Sequence, residues 1–259
     1  MIVIALVLAA LVGVSLGMLG GGGSILTVPI LTYVLGMSTR EAISASLFIV
    51  GTASILAMVG HARSGKVKWR SGIEFGAAGM VGAFAGAQVG AIIPSPVLMI
   101  MFAGVMLLAA AAMIRGRKTL PGDDGRTSQR ARTLQMIVSG TVVGIITGLV
   151  GVGGGFLIVP ALVLFTGLPM ATAVGTSLLV IAMNSAAGFA GTMLTVTLDW
   201  PVILAFTVIA IAGSFAGLVL AKRIPGRALR KAFGIFVLAM GILVLTQEVP
   251  PLIASVAGS

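Results

Sequence analysis

The sequence of 259 residues contains no cysteine, a single histidine and few charges of either sign. Without cysteine the chain has no disulfides, iron–sulfur clusters or thiol catalysis, and a lone histidine argues against a zinc site. A nucleophile, base and acid set for hydrolysis is also missing. Only 8% of the residues are charged and 58% are hydrophobic, whereas soluble domains are about 25% charged. We therefore expect an integral membrane protein that is not an enzyme and needs no cofactor.

The basic residues outnumber the acidic ones, 16 to 6, and the net charge is +10. In a soluble protein such an excess would suggest a nucleic-acid partner. Here, however, every basic residue except Arg40 lies in one of three short polar stretches, 61–70, 115–132 and 222–231. The positive-inside rule places such stretches in the cytoplasm. We expect no nucleic-acid partner.

The first half of the chain recurs in the second half at a spacing of 131 residues. Gly13–Gly36 reads GVSLGMLGGGGSILTVPILTYVLG, and Gly144–Gly167 reads GIITGLVGVGGGFLIVPALVLFTG. The correspondence continues without a gap, so that Trp69 falls on Trp200. A fixed long period of this kind indicates a duplicated structural unit.

The duplication predicts two membrane repeats, over 1–115 and 132–247, joined by a basic cytoplasmic linker, 116–131. A short C-terminal tail follows at 248–259. Each repeat begins with an apolar segment broken by glycines and a proline, which predicts a re-entrant helix. Three segments of about 20 apolar residues follow, the length that crosses a bilayer. The predicted spans are 42–60, 71–93, 96–114, 171–194, 201–221 and 228–245.

Equivalent loops of the two repeats carry opposite charge bias. The copy of the basic loop 61–70 is 192–201, which has only Asp199, and the copy of 222–231 is 91–100, which has no charge. Two units inserted in opposite orientations would produce this pattern. The sequence thus predicts an all-α integral membrane protein with two inverted-topology repeats. Each repeat then needs an odd number of crossings, either three with a re-entrant hairpin or five with both short pieces crossing.

Inverted repeats with discontinuous helices at matched positions are typical of secondary transporters. A helix that begins inside the membrane has unpaired N–H groups and a positive dipole end, both of which attract a small anion. Two sets of residues are the candidate substrate-binding groups. The backbone set is Gly21, Gly22, Gly23, Ser24, Gly153, Gly154 and Gly155. The side-chain set is Ser46, Thr176, Ser177 and Asn184.

A simpler interpretation of these residues is purely structural. Glycine permits close helix packing, and serine and threonine often bond their own helix carbonyls. Asn184 and Gln88 are costlier in lipid, so we expect both to face the protein interior.

The ionisable residues near helix ends have ordinary explanations. Glu74 is expected at the interface as a partner of Arg70, with proton coupling as the alternative role. Arg40 is expected to pair with Glu41 in a loop, with attraction of anions as the alternative. His61 is expected at the membrane interface and not in a proton relay.

Three stretches resemble the sulfite exporter TauE/SafE family of bacterial permeases. They are GMLGGGGSILTVPIL at Gly17–Leu31, its copy GLVGVGGGFLIVPAL at Gly148–Leu162, and ATAVGTSL at Ala171–Leu178. The resemblance covers nearly the whole chain. It implies transport of small sulfur-containing anions, such as sulfite or the organosulfonate sulfoacetate, across the bacterial inner membrane by a multi-pass protein. Some members are linked with export and others with uptake, so the direction does not follow.

The working hypothesis is a secondary transporter of such an anion that operates by alternating access, one repeat rocking against the other. Its partners are the anionic substrate and membrane lipids, with protons a candidate coupling ion and a homo-oligomer left open. Two alternatives remain. One is a passive anion channel, and the other is a non-transporting membrane scaffold in which the glycines serve packing alone.

Overall fold

A computed structural model describes residues 2–90, 93, 95–115, 129–150, 155–192 and 197–257. All regular structure in these residues is α-helical, as expected. The helices are α1 (Ile2–Leu19), α2 (Gly22–Tyr33), α3 (Thr39–Arg63), α4 (Trp69–Gly90), α5 (Ser95–Arg115), α6 (Gln129–Val150), α7 (Gly155–Leu164), α8 (Met170–Thr192), α9 (Trp200–Arg223) and α10 (Gly226–Ala257). α10 thus runs past the predicted repeat boundary at 247.

Within the described residues, three helices are long and apolar enough to cross a membrane: α3, α8 and α9. Each of them coincides with a span predicted from the sequence. Large apolar side chains such as Phe84, Leu108 and Val208 are exposed on the outside of the bundle. An exposed apolar surface of this kind suits a helix bundle surrounded by lipid.

The first broken segment is a helical hairpin whose tip is Gly20 and Gly21. Gly20 has a φ of +75°, a conformation that glycine adopts without steric cost, and its N–H donates to the Leu16 carbonyl at 2.8 Å. The chain then reverses and α2 packs back on α1. The two helices are so close at Gly23 that an added Cβ atom would lie 2.5 Å from the Val12 carbonyl oxygen. The second break, 151–154, lies outside the described residues.

The closest helix pairs join one repeat to the other. α1 packs on α9 with Gly13 against Ala210, so close that a Cβ atom at Gly13 would overlap the Ala210 carbonyl. The equivalent residues Gly144 and Gly79 make the same contact between α6 and α4. One turn beyond Gly13, Gly17 meets the next turn of α9, so the two helices run parallel. Backbone contacts of this closeness need glycine.

The equivalent helices α3 and α8 cross each other in opposite directions. A Cβ atom at Gly51 would lie 2.9 Å from the Ser185 Cβ, and one at Gly188 would lie 3.1 Å from Leu47. Contacts nearer the C-terminus of α3 therefore fall nearer the N-terminus of α8, so the two helices are antiparallel. α5 and α10, which are also equivalent, pack in the same antiparallel way.

The short helix α7 lies in the interior of the bundle. Every residue from Gly155 to Leu162 is buried, and Phe156, Ile158 and Leu162 are among the largest fully buried side chains. The run of apolar residues in α7 therefore serves the protein core, and the helix begins deep inside the molecule.

Two of the polar predictions need correction and one is confirmed. Glu41 accepts hydrogen bonds from the Ser38 N–H at 2.9 Å and from Ser38 Oγ at 2.8 Å. This reciprocal cap stabilises the start of α3, so Glu41 acts as a capping residue and not as a loop ion-pair partner. Gln88 is exposed in the last turn of α4, so it does not face the protein interior as expected. The Arg70–Glu74 ion pair is present at 2.8 Å.

Candidate functional site: the junction of the two broken segments

The first residues of α2 and α7 lie against each other at the centre of the molecule. A Cβ atom at Gly21 would overlap the carbonyl group of Gly155. From the other side, a Cβ atom at Gly155 would lie 2.8 Å from Ser24 Oγ. Ser24 and Gly155 are equivalent residues of the repeat, so the two halves meet at corresponding points. We call Gly21, Ser24 and Gly155 the junction.

Two positive helix ends converge at the junction. The first N–H groups of a helix have no intrahelical acceptor, and the helix dipole places partial positive charge there. Gly21, the N-cap of α2, supplies no side-chain hydrogen bond to these groups. Residues 22–25 and 155–156 are all buried, so the field of the two helix ends acts in a region of low dielectric, where charge interactions are strong.

Two serine hydroxyls border this region. Ser24 Oγ donates to the Gly21 carbonyl at 2.7 Å. Ser177 Oγ donates to the Val174 carbonyl at 2.8 Å, and it would lie 2.6 Å from a Cβ atom at Gly20. Each hydroxyl keeps acceptor capacity, and rotation about χ1 would redirect its hydrogen toward a stronger acceptor.

The three glycines of the first candidate set occupy different environments. Of the three, Gly21 is the one whose added Cβ atom would meet the first residue of α7, Gly155. A Cβ atom at Gly22 would make ordinary 3.4 Å contacts with Leu19 and Phe236. Gly23 faces the backbone of α1, so it permits the hairpin to close. Gly153 and Gly154 lie outside the described residues.

Thr176 and Asn184 are not brought to the junction. Thr176 Oγ1 accepts a hydrogen bond from the Lys68 N–H at 3.1 Å, and its methyl group approaches Gly72 of α4. It therefore faces the loop that follows α3. Asn184 lies two turns further along α8, with its Oδ1 buried and without a hydrogen-bond partner among the described residues. Ser46 is buried on α3, and its repeat-equivalent is Ser177.

Sequence reasoning missed the burial of His61. The imidazole is only 2% exposed, and its Nε2 lies 3.2 Å from the Gly17 carbonyl oxygen. No pattern in the sequence reports this contact, because the equivalent position in the second repeat is Thr192 and the two residues are 44 apart. Ser44 and Ser54 also have buried hydroxyls without a partner among the described residues.

Comparison with known proteins gives a consistent result along the whole chain. Residues 5–244 match the sulfite exporter TauE/SafE family. A probable membrane transporter protein of Xylella fastidiosa is 37% identical over 257 residues, which covers 94% of this chain and 95% of that protein. A probable membrane transporter protein of Bacillus subtilis is 25% identical, covering 91% and 96%, and one of Methanocaldococcus jannaschii is 30% identical, covering 71% and 69%. No solved structure matches the chain.

Proposed function

The chain belongs to the sulfite exporter TauE/SafE family of membrane transporters, and from this membership we propose that it carries sulfite or a small organosulfonate across the bacterial inner membrane. The observation that supports an anionic substrate is the contact between Gly21 and Gly155. It brings two buried helix N-termini together, and helix N-termini attract anions. The protein acts as a transporter and carries out no covalent chemistry on its substrate.

The anion binds with its oxygens toward the first turns of α2 and α7. The N–H groups of Gly22 and Gly23 are the α2 donors, and those of the first turn of α7, from Gly155, oppose them. The hydroxyls of Ser24 and Ser177 turn from their helix carbonyls to the anion, because a charged acceptor makes the stronger hydrogen bond. Sulfite and a sulfonate group each offer three oxygens, enough to engage both helices and a hydroxyl.

We further propose that the two repeats cross the membrane in opposite orientations, each with a re-entrant hairpin. The antiparallel crossing of the equivalent helices α3 and α8 supports this arrangement. So does the opposite charge of equivalent loops, since basic loops stay in the cytoplasm. With this topology the junction lies between a hairpin that enters from the outside and one that enters from the cytoplasm.

The contacts between helices favour a particular division into moving parts. The hairpin α1–α2 is held against α9, and α6 is held against α4. Alternating access then consists of movement between two bodies, one built on α1, α2 and α9 and the other on α6, α7 and α4. Each body contains helices from both repeats, which differs from one repeat rocking against the other.

Ligand-induced thermal stabilisation of the purified protein tests the substrate and the site. Sulfite, sulfoacetate, sulfate and chloride are compared at matched ionic strength. We expect saturable stabilisation by one sulfur anion, because ligand that binds only the folded state raises its stability. Ser177→Ala and Ser24→Ala should each weaken this anion's Kd by about tenfold or more, the cost of losing a hydrogen bond to a charged group.

Ser214→Ala is the matched control for Ser177→Ala. Both serines are 0% exposed, and both donate to the carbonyl three residues earlier, Ser214 at 2.7 Å, but Ser214 lies on α9. The control should bind the anion as the wild type does. Stabilisation by every salt in proportion to ionic strength would contradict the proposed site.

In proteoliposomes, saturable counterflow of labelled sulfite distinguishes a carrier from a channel, because a channel shows no counterflow.

A further inference from the structure

His61 is the single histidine of the protein and is buried at the end of α3. The helix ends there in a compact turn, in which Gly65 has a φ of +68° and the Lys66 N–H donates to the His61 carbonyl at 3.0 Å. This pattern is the Schellman motif. The side chain is only 2% exposed, although a basic loop follows directly.

The two ring nitrogens of His61 have different environments. Nε2 lies 3.2 Å from the Gly17 carbonyl oxygen, one of the last four carbonyls of α1, which have no intrahelical donor. A carbonyl only accepts, so Nε2 carries hydrogen in this contact. Nδ1 is buried and has no hydrogen-bond partner among the described residues. In the neutral ring Nδ1 therefore carries a lone pair that can accept a proton.

The ring lies between the hairpin tip and the helix that carries Ser177. Gly17 is three residues before the tip at Gly20. On the other side, a Cβ atom at Gly175 would lie 3.2 Å from the His61 Cβ, and Gly175 is two residues before Ser177. His61 therefore lies against both the hairpin tip and the helix that carries Ser177, the two sides of the proposed anion-binding region.

Opposing charges act on His61. The carbonyl end of α1 carries partial negative charge, which favours the imidazolium. Among the described residues, Lys66 from the loop after α3 and Lys222 from the end of α9 are charged groups close enough to act on the ring, and their positive charge repels that of an imidazolium. The facing parts of α1 and α8, residues 13–19 and 173–177, contain no ionisable side chain. The negative charge of an anion bound at the junction would favour protonation of this base.

We propose that His61 is the proton-binding site that couples anion transport to the proton gradient, an inference that rests on the proposed function. A proton taken from water binds Nδ1 when the anion occupies the junction, and it leaves when the anion leaves. Because coupling between two sites is reciprocal, protonation strengthens anion binding by the same factor by which the anion strengthens protonation. The protein then moves a proton together with the anion.

The single histidine allows a direct measurement. The protein is prepared with ring-labelled histidine and a purification tag free of histidine, and the His61 resonances are followed by NMR against pH, with and without saturating sulfite. We expect the titration curve to move to higher pH by about 1 unit, which corresponds to tenfold coupling. An unchanged curve in a protein that binds sulfite would overturn the inference and leave the transport function intact.

His61→Gln separates the coupling role from a purely structural one. The glutamine amide can still donate to the Gly17 carbonyl, but it does not titrate. In proteoliposomes we expect the variant to keep sulfite counterflow within about twofold at saturating sulfite and to lose at least about tenfold of the accumulation driven by a pH gradient. Accumulation equal to that of the wild type would contradict proton coupling through His61.

His61→Leu, which also loses the bond to Gly17, controls for stability. If the histidine served only as a cap, His61→Leu would unfold at lower temperature and His61→Gln would behave as the wild type in every assay. Failure of the wild type to bind any sulfur anion or to show counterflow would instead reject the proposed function.

Discussion

At Gly21 the start of α2 lies against the first residue of α7, and the neighbouring glycines have different surroundings. Its position requires the absence of a side chain, since a Cβ atom would overlap the Gly155 backbone. The atoms nearest to this Cβ position are backbone atoms of Gly155 and Phe156, so there is no flexible side chain that could move aside. Gly22, the next residue, has ordinary contacts only.

Gly21→Ala should therefore impair the protein more than Gly22→Ala. We expect Gly21→Ala to lower the stability by about 1–3 kcal/mol, the typical cost of overpacking, and to reduce sulfite binding by separating the helix ends. Gly22→Ala should remain close to the wild type. Thermal unfolding and sulfite affinity of the two variants check this, and equal effects would contradict the described junction.

For individual residues, the sequence indicates the region of the candidate site better than it indicates which residues lie in that site. The doubled glycine motif identified the region, but Gly21, Gly22 and Gly23 were indistinguishable in it. Their difference depends on which backbone lies opposite, α7 for Gly21 and α1 for Gly23, and this is a tertiary property. His61 was placed at the interface because helix ends usually lie there. Its burial depends on α1 and α8, which contact it at Gly17 and Gly175, and this is a tertiary property as well.

Among the helices, α1 and α9 form one of the two closely packed pairs that join the repeats. Gly13 and Gly17 lie on one side of α1, four residues apart, and each meets a backbone carbonyl of α9. Small residues at this spacing allow backbones to approach, which supplies packing and weak Cα–H hydrogen bonds in the absence of a hydrophobic driving force.

Gly17→Ala should disrupt this pair, since its new methyl group would overlap the Ser214 carbonyl. We expect a loss of about 1–3 kcal/mol or more in stability. Gly104→Ala on α5 is the control, because nothing lies within 4 Å of its added Cβ and alanine is the better helix former. The detergent-solubilised variants are compared by thermal unfolding. A destabilised Gly104→Ala would show that the effect is unrelated to the contact.

Helix positions follow well from the sequence, because about 20 consecutive apolar residues have one stable structure in lipid. The predicted span 42–60 lies within α3, Thr39–Arg63, and 201–221 lies within α9, Trp200–Arg223. The start of α3 was predictable more closely still. The residues Ser38 and Glu41 form the S-x-x-E capping pattern, which was interpreted as part of a charged loop.

For the whole molecule, a duplicated unit of 131 residues should use equivalent residues in equivalent helix contacts. The pairs α1–α9 and α6–α4 satisfy this with equivalent residues in contact. Which helices pair could not be predicted, because all the apolar segments have similar composition and the choice depends on shape at the glycines.

Opposite orientation of the repeats is testable with single cysteines, since the natural chain has none. Ser64→Cys and Thr197→Cys place thiols at exposed positions in equivalent loops. In intact bacterial cells, a membrane-impermeant maleimide should label Thr197→Cys, and it should label Ser64→Cys only after the membrane is permeabilised. Labelling of both from the same side would mean that the repeats are parallel.

The pairing of α1 with α9 and of α4 with α6 also constrains how the protein is made. Helices leave the ribosome in chain order, so α1 enters the membrane long before α9 is synthesised. Until the second repeat is made, the glycine residues of α1 and α4 have no partner helix in the bilayer. The packing of α1 is complete only after α9 has been inserted. Each repeat expressed alone would lack half of its own core, whereas the two expressed as separate chains would assemble around each other.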